Sequence, residues 1–194
     1  MTVIKTKHPR TMALDVIRPI CAELTPLCEP GYLKVAGSLR RKKEFVGDVE
    51  LVFVPRAIEI PDPADLFGKL VPGLATDAWL DECLAVGRLE KRLSVNDRPA
   101  WGPQNKLARH TASGIGIDLF FATRDNFWTL LVCRTGPKEF NARVCMEAEK
   151  RGQRWNPYRG FEDRLTGELL FVPRTEKALF DHFQWPYLEP WERA

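Results

Sequence analysis

Residues 35 to 54 read Val35-Ala36-Gly37-Ser38-Leu39-Arg40-Arg41-Lys42-Lys43-Glu44-Phe45-Val46-Gly47-Asp48-Val49-Glu50-Leu51-Val52-Phe53-Val54. The spacing predicts a strand over Tyr32 to Ala36, a turn at Gly37-Ser38 and a short helix start at Arg40-Arg41. A second strand is expected from Gly47. Side chains alternate along a strand, so Asp48 and Glu50 share one face while Val49, Leu51 and Phe53 share the other. Two neighbouring carboxylates repel and call for counter-charge or solvent. A solvated strand face meets that need, and so does a hard divalent cation with oxygen ligands. Gly37 lets backbone approach a ligand closely, and backbone N–H groups beside the Ser38 hydroxyl suit phosphate oxygens.

The order Gly-Ser, then two carboxylates one residue apart, resembles the signature of nucleotidyltransferases, and of the family X DNA polymerases in particular. Gly37-Ser38-Leu39-Arg40-Arg41 and Gly47-Asp48-Val49-Glu50 match that pattern in type and spacing. The second carboxylate is Glu50 where that family usually has Asp.

Working outward, Met12, Leu14, Val16, Ile17, Ile20, Cys21, Leu24 and Leu27 recur at helical spacing. Pro19 predicts a kink, and Pro30-Gly31 closes the segment. Lys7 precedes an x-Pro-Arg run and holds the place of a basic residue that reaches the triphosphate in the resembling family; a solvated terminal lysine is the alternative. Ala64 to Leu70 and Asp77 to Leu84 read as short helices parted by Pro72-Gly73. Arg88 to Val95 reads as a weakly alternating strand, and Asp97 to Pro103 as a turn-rich loop. Lys106 and Arg109, with Gln104 and His110, either track a template strand or form a solvated edge.

Ile115 to Ala122 is an apolar strand carrying one carboxylate, Asp118. Burial makes that charge expensive without a partner. The partner is a cation of the protein or a metal shared with Asp48 and Glu50. The resembling family carries its third metal ligand on an Ile-Asp-Leu strand at a comparable interval, here 118 minus 50, or 68 residues.

Asn126 to Arg134 is expected to be helical, broken by Thr135-Gly136-Pro137 and followed by a helix over Glu139 to Arg151. Thr135-Gly136-Pro137-Lys138-Glu139-Phe140-Asn141 resembles the polymerase segment that lines the nascent base pair. Cys133 and Arg134 stand where two aromatics usually close the pocket around the sugar. Tyr158 to Phe171 reads as a hairpin around Leu165-Thr166-Gly167-Glu168. Arg174 to Arg193 resembles the polymerase C-terminus. Glu176 is read there as a helix-start residue, Asp181 as a surface residue, and Trp185 and Tyr187 as packing.

The resemblance thus runs from Lys7 to Arg193 and implies an α+β fold: a polymerase beta-like nucleotidyltransferase palm with a mixed sheet over residues 1–123, then a small α/β thumb over 124–194. It implies the minimal palm-plus-thumb form of small viral members, without lyase or fingers domains. Asp48, Glu50 and Asp118 would be the catalytic, metal-binding residues for two Mg²⁺ or Mn²⁺ ions. Gly37, Ser38, Arg41, Lys7, Gly47, Arg134, Gly136 and Asn141 would contact nucleotide, and Lys106 and Arg109 DNA. The expected activity is DNA-directed primer extension for gap filling in repair. Template-independent or ribonucleotide-using transfer and a catalytically silent DNA-binding module are the rivals. Expected partners are primer-template or gapped DNA and dNTP, with NTP left open. A monomer is expected.

Composition bounds this reading. The 194 residues, 44% hydrophobic and 28% charged, suffice for a real core. The net charge of +3 is mild, so any nucleic-acid surface must come from local clusters. Cys21, Cys28, Cys83, Cys133 and Cys145 form no C-x-x-C motif, and read as reduced, mostly buried thiols. No run approaches a membrane span and Met1 to Arg10 lacks an apolar leader core, so a cytoplasmic location, cellular or in a virus-infected cell, is expected.

Overall fold

The computed structural model describes residues 6–62, 64–65, 69–94 and 98–193. In chain order the elements are β1 (His8–Pro9), α1 (Arg10–Leu24), β2 (Cys28–Val35), α2 (Gly37–Arg40), β3 (Phe45–Val46), β4 (Asp48–Pro55), β5 (Ala57–Pro61), β6 (Leu70–Leu74), α3 (Ala75–Ala85) and β7 (Leu89–Lys91). They continue with β8 (Asn105–His110), β9 (Gly116–Phe121), α4 (Phe127–Thr135), α5 (Lys138–Lys150), β10 (Gln153–Asn156), β11 (Gly160–Asp163), β12 (Leu169–Phe171) and α6 (Glu176–His182). Mixed strands and helices make this an α+β fold.

The centre is a five-stranded sheet in the order β2-β4-β9-β8-β7. β4 and β9 run parallel, and the other neighbours are antiparallel. Strand parity sorts the side chains of β4. Val49, Leu51 and Phe53 are fully buried against Ile17, Ile20 and Leu24 of α1 and Trp79 and Leu80 of α3. On the opposite face Val52 and Val54, with Phe120 and Ala122, lie in a second core with Phe127, Leu130 and Leu131 of α4. That helix covers only the C-terminal half of β4 and β9. Asp48 and Glu50 share its face but lie at the N-terminal half, beyond it.

A third core joins α4, α5, the three-stranded sheet β10-β11-β12 and α6, through Val132, Phe140, Val144, Trp155, Phe161, Leu179 and Phe180. Trp185 packs near Phe183, ring centroids 4.8 Å apart, and Tyr187 meets Phe180 edge-on at 5.1 Å. Both therefore pack, as expected.

Several elements differ from the sequence expectation. Leu70, expected as the last residue of a helix, instead opens strand β6, paired with β5 in a hairpin outside the main sheet. Its apolar residues Ile58, Ile60 and Leu70 remain exposed, so periodicity toward a core was no guide there. Pro72 sits in this edge hairpin, where a missing N–H is tolerated. Residues 66–68 of the expected Ala64 to Leu70 helix, and 95–97 of the following segments, lie outside the described residues. Pro30-Gly31 falls within β2 at a register irregularity instead of closing the helix; α1 ends at Leu24 and a 3-10 turn fills Thr25–Leu27. The thumb hairpin expected over Tyr158 to Phe171 gains a third strand, β10. Among the described residues all five cysteines are free thiols, and no helix is long and apolar enough to cross a membrane.

Candidate active site

The parallel pairing of β4 with β9 sets Asp48 level with Gly116, and Glu50 level with Asp118. Register partners in a sheet point to the same face. Three carboxylates from two segments distant in the chain therefore project together, off the half of the sheet that α4 leaves open.

Their environments differ. The Glu50 carboxylate reaches toward α2: a Cβ built on Gly37 would lie 2.6 Å from Glu50 Oε2. Gly37 also has φ of 63°, a conformation that side chains other than glycine's rarely adopt. Glu50 Oε2 is buried without a hydrogen-bond partner. Burial, and then the charges of Asp48 and Asp118, push the Glu50 pKa up to about 7, against the opposing pull of Arg134 and Arg41.

Asp118 faces the other way. Arg92 Nη2 donates to Asp118 Oδ1, and the same nitrogen stands 3.9 Å from Asp48 Oδ2. Both expected routes to balancing Asp118 thus bear on this residue, and the route realised here is a cation of the protein. Among the described residues no three His, Cys, Asp or Glu side chains are gathered closely enough to hold an ion as they stand.

The helix turn α2 is fixed from several sides. Leu39 is buried in the first core. Arg40 donates to Thr135 Oγ1 at 2.8 Å and makes a two-pronged ion pair with Glu176, which also meets Arg193 at 3.0 Å. Burial alone would raise the Glu176 pKa. The hydrogen bonds and charges of Arg40 and Arg193 more than offset it and hold the group below the usual carboxylate range. Glu176 begins α6 as expected, with Thr175 capping through Ala178 N, and it is buried. Asp181 is exposed and pairs with Lys177 at 2.6 Å.

Arg41 donates to the Thr135 carbonyl. Gly136 leaves it room, since a Cβ there would stand 3.3 Å from Arg41 Nη1 and 4.0 Å from Asn141 Nδ2. Asn141 donates to the Cys133 carbonyl at 2.8 Å, leaving Oδ1 buried and unpartnered. Ser38, Arg41, Gly136 and Asn141 are thus gathered on one side of Glu50. Arg134 lies with its guanidinium 3.8 Å above the Phe120 ring. Gly47 directly precedes Asp48. β1 pairs with β3, His8 against Val46, so continuing that ladder by one residue brings the exposed Lys7 level with Gly47.

The two residues expected at DNA part company. Lys106 is level with Leu119, so it projects to the face away from the carboxylates. Its ammonium sits 3.7 Å from Asp77 and 4.2 Å from the Phe121 ring centroid, and the side chain is only 14% exposed. The expectation that Lys106 tracks a template is corrected on that ground. Arg109, level with Gly116, stays on the carboxylate face and pairs with Glu90 at 3.2 Å.

Two residues escaped sequence reasoning. Arg92 lies within a weakly alternating run, and its role depends on a contact across an intervening strand that no local pattern signals. Arg40 was legible as part of a short helix start, but not its tie to Glu176, 136 residues on.

Comparison with known proteins places this geometry. Residues 130–194 match the DNA polymerase beta thumb family. The chain is 25% identical over 184 residues to the DNA polymerase/3'-5' exonuclease PolX of Bacillus subtilis, covering 95% of this chain and 28% of that protein. The chain therefore spans under a third of that relative. A crystal structure of Leishmania infantum polymerase beta, in a ternary P/T complex, superposes with a TM-score of 0.69 at 18% identity, over 98% of this chain and 78% of that one.

Proposed function

We propose, from these likenesses to family X polymerases, that the chain is a DNA-directed nucleotidyltransferase extending a primer 3′-hydroxyl. The observation that carries the reading is the level pairing of Glu50 with Asp118 across β4 and β9, with Gly37 against the Glu50 carboxyl. It brings an acidic face and the Gly37–Arg40 helix turn together in one place.

The donor set suits hard divalent ions: three carboxylates, one of whose oxygens is buried and unpartnered. Asp48, Glu50 and Asp118 would hold Mg²⁺ or Mn²⁺, two ions by the family resemblance. Bound there, such ions supply Lewis-acid polarisation of the phosphate and a more acidic attacking hydroxyl. The chain's own residues do the rest. Ser38 and the backbone of α2 receive the β- and γ-phosphates. Arg41, held by Thr135, presents a charge that does not need to reorganise as charge builds on the leaving group. Asn141 Oδ1, which has no partner of its own, meets the incoming nucleotide beside Gly136. Asp118 lies on the primer side and accepts the proton of the 3′-hydroxyl. Arg109 touches the DNA backbone from the same sheet face, and Lys7 reaches the triphosphate from beside Gly47.

Substrates follow from the same reading: gapped or recessed primer-template DNA and a dNTP, used in gap filling, by a monomer in the cytoplasm. Ribonucleotides are a second class. Cys133 and Arg134 are not aromatic, and they are engaged elsewhere, the Arg134 guanidinium 3.8 Å above the Phe120 ring and the Cys133 carbonyl by Asn141, so neither builds an aromatic wall against a sugar 2′-hydroxyl.

The test is extension of gapped, recessed and single-stranded primers with each dNTP and NTP, in Mg²⁺ and in Mn²⁺. Asp118→Ala is expected to keep measurable nucleotide binding and to lose extension by at least about a thousandfold. Extension by that variant at the wild-type rate refutes the assignment.

A further inference from the structure

We infer that Arg92 is a built-in counter-ion of the acidic face, holding Asp48 and Asp118 in the position a metal ion must take over. The inference rests on the proposed metal site, and deepens it.

The placement is unusual in its reach. Arg92 follows the last residue of β7, and its N–H donates to the Leu107 carbonyl at 2.8 Å. Leu107 is level with Asp118, so the three residues lie in one row on the carboxylate face. The Arg92 side chain must cross the whole of β8 to meet Asp118. Strands are ~4.8 Å apart, so the crossing takes about two spacings, close to the full length of an arginine. Gly116 makes the path possible. A Cβ there would stand 3.3 Å from Arg92 Nε and 3.4 Å from Arg92 Cζ, so the guanidinium lies in the space a side chain would have used. The Arg92 side chain is only 15% exposed, and its Nε has no partner. A long, largely desolvated side chain has thus been routed over a glycine to one end point, between Asp118 and Asp48.

That end point has a consequence for metal binding. Arg92 Nη2 stands on one oxygen of Asp118 and 3.9 Å from one of Asp48, so an ion shared by the two carboxylates has to compete with its charge. Binding therefore works against the guanidinium, and the pairing energy of Arg92 is subtracted from the affinity. Without Arg92 the carboxylates repel one another openly, which favours the ion further. Arg92 is a positioning residue in this account. It pairs with the carboxylates when the site is empty, and it weakens binding of a lone metal, so that nucleotide phosphates have to add to the ion's hold.

The experiment is Mn²⁺ binding to the full chain at pH 8, without DNA or nucleotide, followed by calorimetry or by the electron paramagnetic resonance of free Mn²⁺. Arg92→Gln is expected to bind about tenfold more tightly than wild type, with Arg92→Lys in between. Unchanged or weaker binding by Arg92→Gln overturns the inference. Asp118→Asn, measured alongside, separates the failures. If that variant binds as wild type does, the metal-site reading itself is wrong; if it loses binding while Arg92→Gln is unchanged, only the role of Arg92 falls. Should Arg92→Gln not fold, the wild-type protein answers alone. The Arg92 Nε–H resonance is expected to shift on Mg²⁺ titration with the midpoint of metal binding, and a resonance unmoved at saturation is the contrary result.

Discussion

Glu50 carries the sharpest consequence at the scale of single residues. Its pKa, raised by burial and by its acidic neighbours to about 7, is above the ordinary value of 4.5. The fold thus favours the protonated form. That contribution is fully present below about pH 4.5 and is lost as pH rises through about 7. Glu50→Gln resembles the protonated residue at every pH. In chelator-treated protein the variant should match wild type near pH 5 and exceed its stability at pH 8 by up to about 3 kcal/mol, the free energy of deprotonating so acid-averse a carboxyl. Urea denaturation at the two pH values checks this; an equal difference at both sinks it. The same residue shows what could be read beforehand. Alternation alone put Asp48 and Glu50 on one face, because strand parity is a local property. It did not show that the extra methylene of Glu50 would carry its carboxylate against Gly37, since that depends on where α2 folds back. Nor did it reveal the parity of Lys106, although its buried neighbour Leu107 held the hint.

Among elements, α2 and α6 are joined by charge. Glu176 is the shared anion of Arg40 and Arg193, the latter fully buried. Removing one partner of a buried ion pair strands the others, at about 3–5 kcal/mol. Glu176→Ala should lower the stability of the protein by that amount. Because the wild-type group is held below the usual carboxylate range, its contribution is present above pH 4.5 and fades as pH falls through its own lower pKa, so the gap between variant and wild type should narrow in acid. Chemical denaturation across pH measures both; a gap that is constant with pH contradicts the account. The elements that formed the three cores were legible where burial imposed a period, as in α1, α4, α5, β4 and β9. The mismatch at Leu70, read as the end of a helix, falls at the start of β6, in a hairpin most of whose apolar side chains are exposed. A hairpin that buries so little imposes no strict hydrophobic pattern.

For the whole molecule, α4 is the common member. Leu130 and Leu131 belong to the core on the main sheet, and Val132 to the core of the C-terminal region. A helix that supplies consecutive residues to two cores cannot leave one and keep the other. Calorimetric unfolding should therefore show a single transition, and Leu131→Ala should lower it as one peak, by about 2–5 kcal/mol of stability. Two resolved peaks would mean that the palm and thumb expected from the sequence melt independently. The division expected at residue 123 to 124 falls just ahead of this helix, so in packing terms it marks the start of a shared wall.

The side-by-side run of β4 and β9 has one more implication. Strands travelling in the same direction cannot be joined by a tight bend, so everything from Arg56 to Ile115 is a detour that returns the chain to its starting level. The detour does not set the alignment; the ladder between the two strands does. A slip of one residue would turn Asp118 into the packed interior and lift Ile117 into its place, at once burying a charge and stripping an apolar contact. Lengthening or trimming the excursion at Ala57 to Leu74 should therefore leave the chemistry aligned, while a single inserted residue inside β9 should erase it.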